Sequence, residues 1–434
     1  MNTPMNVLGL NGTKCSQLEG EIATSSRYWR RLRVPFLLGD LVGLFLLFFC
    51  AVGLQASTTE IIYSFAGDED GEYTDTDVAL DAAGNLYGTS VLGGESGGGT
   101  VWQLSNVGGS WVHTVLYSFT GGRDGGEPYK GVTLDAAGNL YGTAVTGGSG
   151  SCEGGCGVTY KLTKSGSTYT QSVIHAFTGG VDGSGPGARV ELDKQGNVYG
   201  MTPTGGANGL GTIYALHPKP NGGWATKVIH TFTGGADGSS GSAGKMVLRG
   251  GHLYGAATTG GVHGAGTVFE LTPTQSGEWD FKTLYSFQGE PDGVFPYGAL
   301  LFDGGGNIYG TTYYGGANDV GTVYRLSPTG VGEWNERVLY SFGTGSDGNS
   351  SISNLVFDSS GNLYGTTSEG GSGSGTIFKL ARGTLIESIP HSFQGPPDGA
   401  FPYAGMVSAG DGTFFGATVH GGDDGEGAIY KFTP

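Results

Sequence analysis

The sequence predicts an all-β fold, a seven-bladed β-propeller of four-stranded antiparallel blades whose last blade is closed by the N-terminal strand. Three observations predict it. Four short signatures recur seven times in fixed order from about residue 60 to residue 434. Each unit of 51 to 58 residues reads as four short strands divided by turns. The two ends of the chain carry complementary fragments of one unit: a fourth strand at the start and a first, second and third strand at the finish. Such self-similarity marks repeat architectures that bury one continuous core.

The first signature ends in Phe65, Phe119, Phe177, Phe232, Phe287, Phe342 and Phe393. The second is an Asp-Gly five residues on, with Asp70, Asp124, Asp182, Asp237, Asp292, Asp347 and Asp398. The third is Asn-Leu-Tyr-Gly or a variant around Tyr87, Tyr141, Tyr199, Tyr254, Tyr309, Tyr364 and Phe415. The fourth is Gly-Thr-Val-Tyr-x-Leu or a variant around Trp102, Tyr160, Tyr214, Phe269, Tyr324, Phe378 and Tyr430. In the second unit, residues 132–135, 140–144, 158–162 and 170–177 alternate apolar and polar residues and favour aromatic and β-branched types, as half-buried strands require. The split unit predicts strands over 61–65, 406–408, 414–418 and 428–432, and their pairing would remove open sheet edges. A β-solenoid has much shorter rungs and needs capped ends. With strand one innermost, the Asp-Gly linkers share a face with the Gly-rich loops between strands two and three. The Gly-Asn turns and the turns bearing Trp111, Trp224, Trp279 and Trp334 take the opposite face, where the tryptophans are expected to pack hairpins.

Residues 1–56 differ from the rest. Arg27, Arg30, Arg31 and Arg33 precede an apolar stretch over 41–52 and small residues at Ala56 and Ser57, the pattern of a secretory signal peptide, with an uncleaved membrane anchor as the alternative. Residues 57–434 would form the propeller. They hold 16 basic against 35 acidic residues, a balance that repels nucleic acid and anionic membrane surfaces, so membrane contact is expected only through an uncleaved N-terminus. Cys152 and Cys156 are the two cysteines of this segment, and in an oxidising compartment they are expected to join in a local disulfide. A closed ring predicts a monomer.

The string Leu-Tyr-Ser-Phe-x-Gly-x-x-Asp-Gly-x-x-Pro-Tyr-x-x-Leu, then Asp-x-x-Gly-Asn-Leu-Tyr-Gly-Thr-Thr-x-x-Gly-Gly, then Gly-Thr-Val-Tyr-x-Leu resembles the GloVer-type tandem repeat of bacterial exported proteins, best over residues 284–326. The resemblance spans nearly all of 57–434 and implies an exported, repeat-built protein. It brings no catalytic residues. A C-terminal sorting anchor, frequent in that family, is not expected, since Pro434 follows the last strand.

A residue present seven times more readily holds a turn than performs chemistry. The repeated Asp of Asp-Gly is therefore expected to accept backbone N–H bonds two residues on. The same reasoning covers Asp81, Asp135, Asp193, Asp303 and Asp358. His175, His230 and His391 stand where other copies have Tyr and read as packing variants. No cofactor is predicted apart from one calcium candidate. Asp68, Asp70, Asp75 and Asp77 crowd one linker and could wrap a hard cation, although the order of an EF-hand loop is missing. Residues that break the repeat are the better candidates for a binding site on the Asp-Gly face: Arg123, Glu127, Lys130, His263 and His420, with Arg189 and Lys245 near the inner strands, pointing into an acidic channel. The function expected is that of an exported, non-catalytic scaffold binding a protein or glycan at the cell envelope or outside the cell. The alternative is an extracellular carbohydrate-active hydrolase or lyase with a site at the channel mouth, which would require Glu127, His263 and an unmatched acid to meet there.

Overall fold

In the computed structural model, residues 57–239, 244–330, 332–343 and 345–434 are described, and the expected signal peptide lies outside them. Seven four-stranded antiparallel sheets form a ring. Blade one comprises Ala79–Leu80, Leu86–Ser90, Thr100–Val107 and Ser110–Ser118. Blade two comprises Thr133–Leu134, Leu140–Ala144, Val158–Ser165 and Thr168–Ala176. Blade three is Glu191–Leu192, Val198–Thr202, Thr212–Pro218 and Trp224–Thr231, and blade four Val247–Arg249, His252–Ala257, Thr267–Pro273 and Trp279–Ser286. Blade five is Gly293–Phe302, Ile308–Gly315, Thr322–Pro328 and Trp334–Ser341, and blade six Val356–Phe357, Leu363–Thr367, Thr376–Leu380 and Glu387–Ser392. In blade seven Val407–Ser408, Phe414–Thr418 and Ala428–Thr433 are joined by Thr58–Ser64, which pairs from Thr58 opposite Thr433 to Ser64 opposite Ala428. The expected closure by the N-terminal strand is what the sheet contains. The inner strands are shorter than the sequence suggested, mostly two residues, whereas the outer pairs extend further, to Ser165 in blade two.

The recurring signatures are explained by contacts between them. The Gly of Asn-Leu-Tyr-Gly lies directly opposite the aromatic of Gly-Thr-Val-Tyr on the next strand, as Gly142 opposite Tyr160 and Gly310 opposite Tyr324. A Cβ on Gly310 would stand 2.4 Å from the Tyr324 hydroxyl oxygen. The missing side chain is thus the space that the fully buried ring occupies. We expect Gly310→Ala to destabilise the propeller by about 1–3 kcal/mol through overpacking, read as a shift of the denaturation midpoint. An unchanged midpoint would show that the ring can move aside.

Each buried Phe of the first signature packs against the third-strand aromatic of the following blade. Ring centroids are 4.9 Å apart for Phe119 and Tyr160, 5.0 Å for Phe177 and Tyr214, and 5.2 Å for Phe393 and Tyr430. Such edge-to-face pairs add to the area buried at every blade seam. The outer strand pair is bulged beside this aromatic in all seven blades. The skipped residue is buried in blades two to four, as Ile174, Ile229 and Leu284, and half-buried in blades one, five and seven, as Leu116, Leu339 and Ile62.

The repeated Asp does hold the turn, but through other partners than expected. Asp124 accepts the Tyr117 hydroxyl at 2.9 Å and the Thr120 N–H at 2.9 Å, four residues before it rather than two after. Asp70, Asp292 and Asp347 take Tyr63, Tyr285 and Tyr340 in the same way. In Asp182, Asp237 and Asp398 the partner is the ring of His175, His230 or His391, so these histidines substitute for tyrosine in a structural bond. Asp135 accepts the N–H groups of Ala137 and Asn139 and the Asn139 side chain, and Asp81, Asp193, Asp303 and Asp358 repeat that turn. Trp111, Trp224 and Trp279 pack across the seams, against Phe415, Tyr141 and Tyr199 of the preceding blade.

Candidate functional site

The first strand of each blade and the residues leading into it line the axis of the ring. Pairing aligns Ala79, Thr133, Glu191, Val247, Leu301, Val356 and Val407 at one level, because each faces the corresponding aromatic of strand two, or in blade seven Phe415. Two residues earlier stand Asp77, Gly131, Arg189, Lys245, Ala299, Asn354 and Gly405. Side chains two apart on a strand share a face, so these levels stack along the channel. The charges at these levels come from blades one, three and four alone.

Those charges meet. Lys245 pairs with Glu191 at 2.6 Å, and Lys130, one residue off the register, pairs with Asp75 at 2.6 Å. Arg189 donates to the Thr133 hydroxyl at 3.1 Å and reaches the Asp77 carbonyl at 3.4 Å, two blades away. Burial works against the Lys130 ammonium, but Asp75 and Asp77 outweigh it and raise its pKa. Lys245 is shifted the other way: burial, then the charge of Arg189, lowers its pKa despite Glu191. Burial likewise lowers that of Arg189 against the pull of Asp77 and Glu191. Three cations thus face three carboxylates. The channel is internally neutralised, where the sequence had suggested an acidic one.

Above this floor, on the Asp-Gly face, lies an aromatic rim. Tyr73 meets His420 edge-on at 5.6 Å, and His420 meets Phe401 at 5.9 Å. Tyr297 and Tyr313 stand 6.0 Å apart, Tyr313 and Tyr314 4.5 Å apart, and Phe295 packs on Tyr314 at 6.0 Å. Burial raises the pKa of Tyr129 and Tyr403, and the nearby Tyr73 adds to both shifts. Burial also raises that of Tyr297, which feels Lys130 from across the channel. All three hydroxyls therefore stay protonated at neutral pH and can donate hydrogen bonds.

The backbone beneath the rim is unusual. Tyr73, Glu127, Phe295, Ser350 and Phe401 occupy one repeat position and all have φ between 54° and 58°. Each gives its N–H to a loop carbonyl of the preceding blade: Glu426, Gly98, Ala265, Val320 and Ser374 respectively. Left-handed φ is strained for bulky side chains, and the inter-blade bond holds them in it.

Of the sequence candidates, the structure brings Lys130 into the channel and His420 to the rim. Glu127 sits beside Tyr129. Arg123 and His263 are exposed on loop tips and take no part in these contacts. The four aspartates of the calcium candidate have different surroundings. Asp70 holds Tyr63 and the Ala66 N–H on the outer loop, while Asp75 is paired with Lys130. Among the described residues no group of three or more His, Cys, Asp or Glu is arranged to hold a metal ion. Cys152 and Cys156 form the disulfide, with an S–S distance of 2.06 Å. Sequence reasoning missed the rim tyrosines because Pro-Tyr belongs to the repeat. The available signal was its incompleteness: Tyr129, Tyr297 and Tyr403 fill that place, whereas Asp75, Gly187 and Ile352 stand there in other blades. A recess of about 630 Å³ bordered by Ile61, Tyr63, Asp398 and Asp423 lies at the outer edge of a seam and holds none of the converging charges.

The family model of the Gloeobacter/Verrucomicrobia repeat matches three overlapping segments, residues 51–244, 193–384 and 244–434. Comparison with curated proteins gives no match. Among solved structures, the chain is similar to a protein from Lactobacillus plantarum at 14% identity and a TM-score of 0.51, over 77% of this chain and 88% of that one. It is also similar to a protein of unknown function from Dyadobacter fermentans at 13% identity and a TM-score of 0.45, over 88% of this chain and 100% of that one. The first likeness is one of fold.

Proposed function

For a chain that belongs to the Gloeobacter/Verrucomicrobia repeat family, we propose the role of an exported, non-catalytic binding propeller that takes a neutral glycan at its aromatic channel mouth. The observation that carries the reading is the division of labour along the axis. The charges at the inner-strand levels meet one another, whereas a rim of tyrosines with protonated hydroxyls stands above them. Flat aromatic faces suit the apolar faces of sugar rings, and protonated Tyr hydroxyls supply directional hydrogen bonds. At the inner-strand levels Lys130 and Lys245 are each paired with a carboxylate, which favours binding over hydrolysis there. Export is supported by the disulfide and by the acidic balance of residues 57–434.

The test is a glycan-array screen of the 57–434 segment, followed by titration of Tyr73→Ala and Tyr403→Ala. A neutral oligosaccharide should bind, and each substitution should weaken it about tenfold. Turnover of a polysaccharide by the purified protein, or binding that both variants retain in full, would overturn the proposal.

A further inference from the structure

On the opposite face, the seam between blades five and six holds a cavity of about 300 Å³ lined by Arg325, Arg337 and Arg382 above an apolar floor that includes Leu339, Phe357 and Leu385. The origin of the cavity is visible in the repeat. Three other seams are wedged by a tryptophan of the following blade, as Trp224 against Tyr141 and Trp279 against Tyr199. The tryptophan place is two residues before the residue opposite the conserved Leu: Trp334 before Glu336, which faces Leu326. In blade six Glu387 faces Leu380, so the place belongs to Leu385. Leu385 sits in a short hairpin turn with φ 56°. The wedge for Tyr309 is therefore absent and the seam stands open.

The arginines are as unusual as the opening. Residues 57–434 contain six arginines, and three of them line this one cavity. Arg325 and Arg337 lie directly opposite each other on neighbouring strands, a destabilising placement of like charges. The corresponding pairs are Gln103 with Thr114, Lys161 with Ser172, Ala215 with Lys227, Glu270 with Lys282, Lys379 with Ser388 and Lys431 with Glu60, none with two cations. The ion pairs among the described residues are all made by Lys or His, so no carboxylate answers these guanidiniums. Arg325 interacts with the Tyr309 hydroxyl, which Asp303 holds at 3.1 Å, but keeps a buried Nε without a partner, and Arg382 reaches only the Ser360 carbonyl at 3.4 Å. In a chain so rich in acid, three arginines around an apolar hollow, none of them in an ion pair, call for an anion.

We infer that this seam is a second binding site, independent of the channel mouth, for a small molecule that carries a carboxylate, phosphate or sulfate on an aromatic ring. The ring takes the place of the missing tryptophan against Tyr309 and Phe357, and the oxyanion receives the forked donors of the arginines. Guanidinium groups match the geometry of such oxyanions bidentately. The volume lies at the small end of the range for small-molecule pockets.

Isothermal titration of the 57–434 segment with phenyl phosphate, phenyl sulfate and indole-3-acetate tests this, with inorganic phosphate and indole as controls. At least one aromatic oxyanion should bind tenfold or more tighter than both controls, and the three arms distinguish which oxyanion is preferred. Arg337→Glu, at an exposed position, should abolish that binding without lowering the thermal midpoint, since it replaces a like-charge pair with an opposite one. Leu385→Trp should do the same by filling the wedge. Tyr73→Ala should leave it untouched, which separates this site from the mouth. Equal affinity for inorganic phosphate or for indole, or full binding by a folded Arg337→Glu protein, would overturn the inference.

Discussion

Removal of residues 57–64 should make the propeller self-associate and lower its thermal midpoint by about 10 °C or more. The deletion takes the outer strand from blade seven and leaves Ala428–Thr433 with unpaired backbone groups along its whole length. An exposed edge of this kind templates pairing with another chain. The strand also brings Ile61 to the cluster around Tyr364, Phe393 and Tyr430, and Tyr63 to the cluster around Trp102 and Leu104. Loss of that burial and of one ladder amounts to on the order of 5 kcal/mol. Calorimetry and light scattering after size exclusion read both effects. A peptide of residues 57–66 added in trans should reverse the association. A truncated protein that stays monomeric with an unchanged midpoint would show that closure contributes nothing to stability.

The second large effect is on pH. Glu336 and Glu387 occupy the same outer-strand position in blades five and six, each against the Tyr–Asp pair of the preceding blade. Burial, then the charge of Asp292, pushes the pKa of Glu336 up from 4.5 to about 7. Burial and Asp347 do the same to Glu387. One oxygen of each glutamate, and Oδ1 of Asp292, is buried without a partner. Tyr285 and Tyr324 complete the surroundings of Glu336, and Tyr340 those of Glu387. A carboxyl whose folded pKa is raised holds its proton longer folded than unfolded. Its contribution to stability is fully present below pH 4.5 and is lost as pH rises through 7. After allowance for partial exposure, the loss is about 1–2 kcal/mol for each group. The denaturation midpoint should therefore fall between pH 5 and 8, and the double variant Glu336→Gln, Glu387→Gln should flatten that fall and be the more stable protein at pH 8. Glu333→Gln, at an exposed turn, serves as the control. Parallel profiles for the double variant and the control would refute the assignment.

These two glutamates also mark the limit of what the sequence discloses. Blade number, strand order and ring closure were legible because they follow from what recurs: Phe119, Gly142 and Tyr160 imply one another in every copy. The disulfide followed from spacing. Lys130, Arg189 and Lys245 were legible as breaks in the repeat, but their partners were not, because Asp77 and Arg189 are 112 residues apart and meet only across the axis. The rim tyrosines were hidden inside the repeat itself. The arginine-lined seam was hidden for the opposite reason: its cause is an absence, Leu385 where four other blades carry tryptophan, and its members come from two blades. Glu336 and Glu387 look like ordinary alternating surface residues until the preceding blade covers them.

The pairing of Thr58 with Thr433 has a topological consequence. Both ends of the described chain lie side by side in one ladder, so the propeller is in effect a circle with a single nick. That nick falls between the third and fourth strands of one blade, a hairpin that the other blades possess intact. The four strands of the seventh blade pair in the same order as those of the other six, although its hairpin is unconnected. The order in which the polypeptide is read and the shape it adopts are therefore separable properties, and a circularly permuted gene opened at another outer hairpin encodes the same ring.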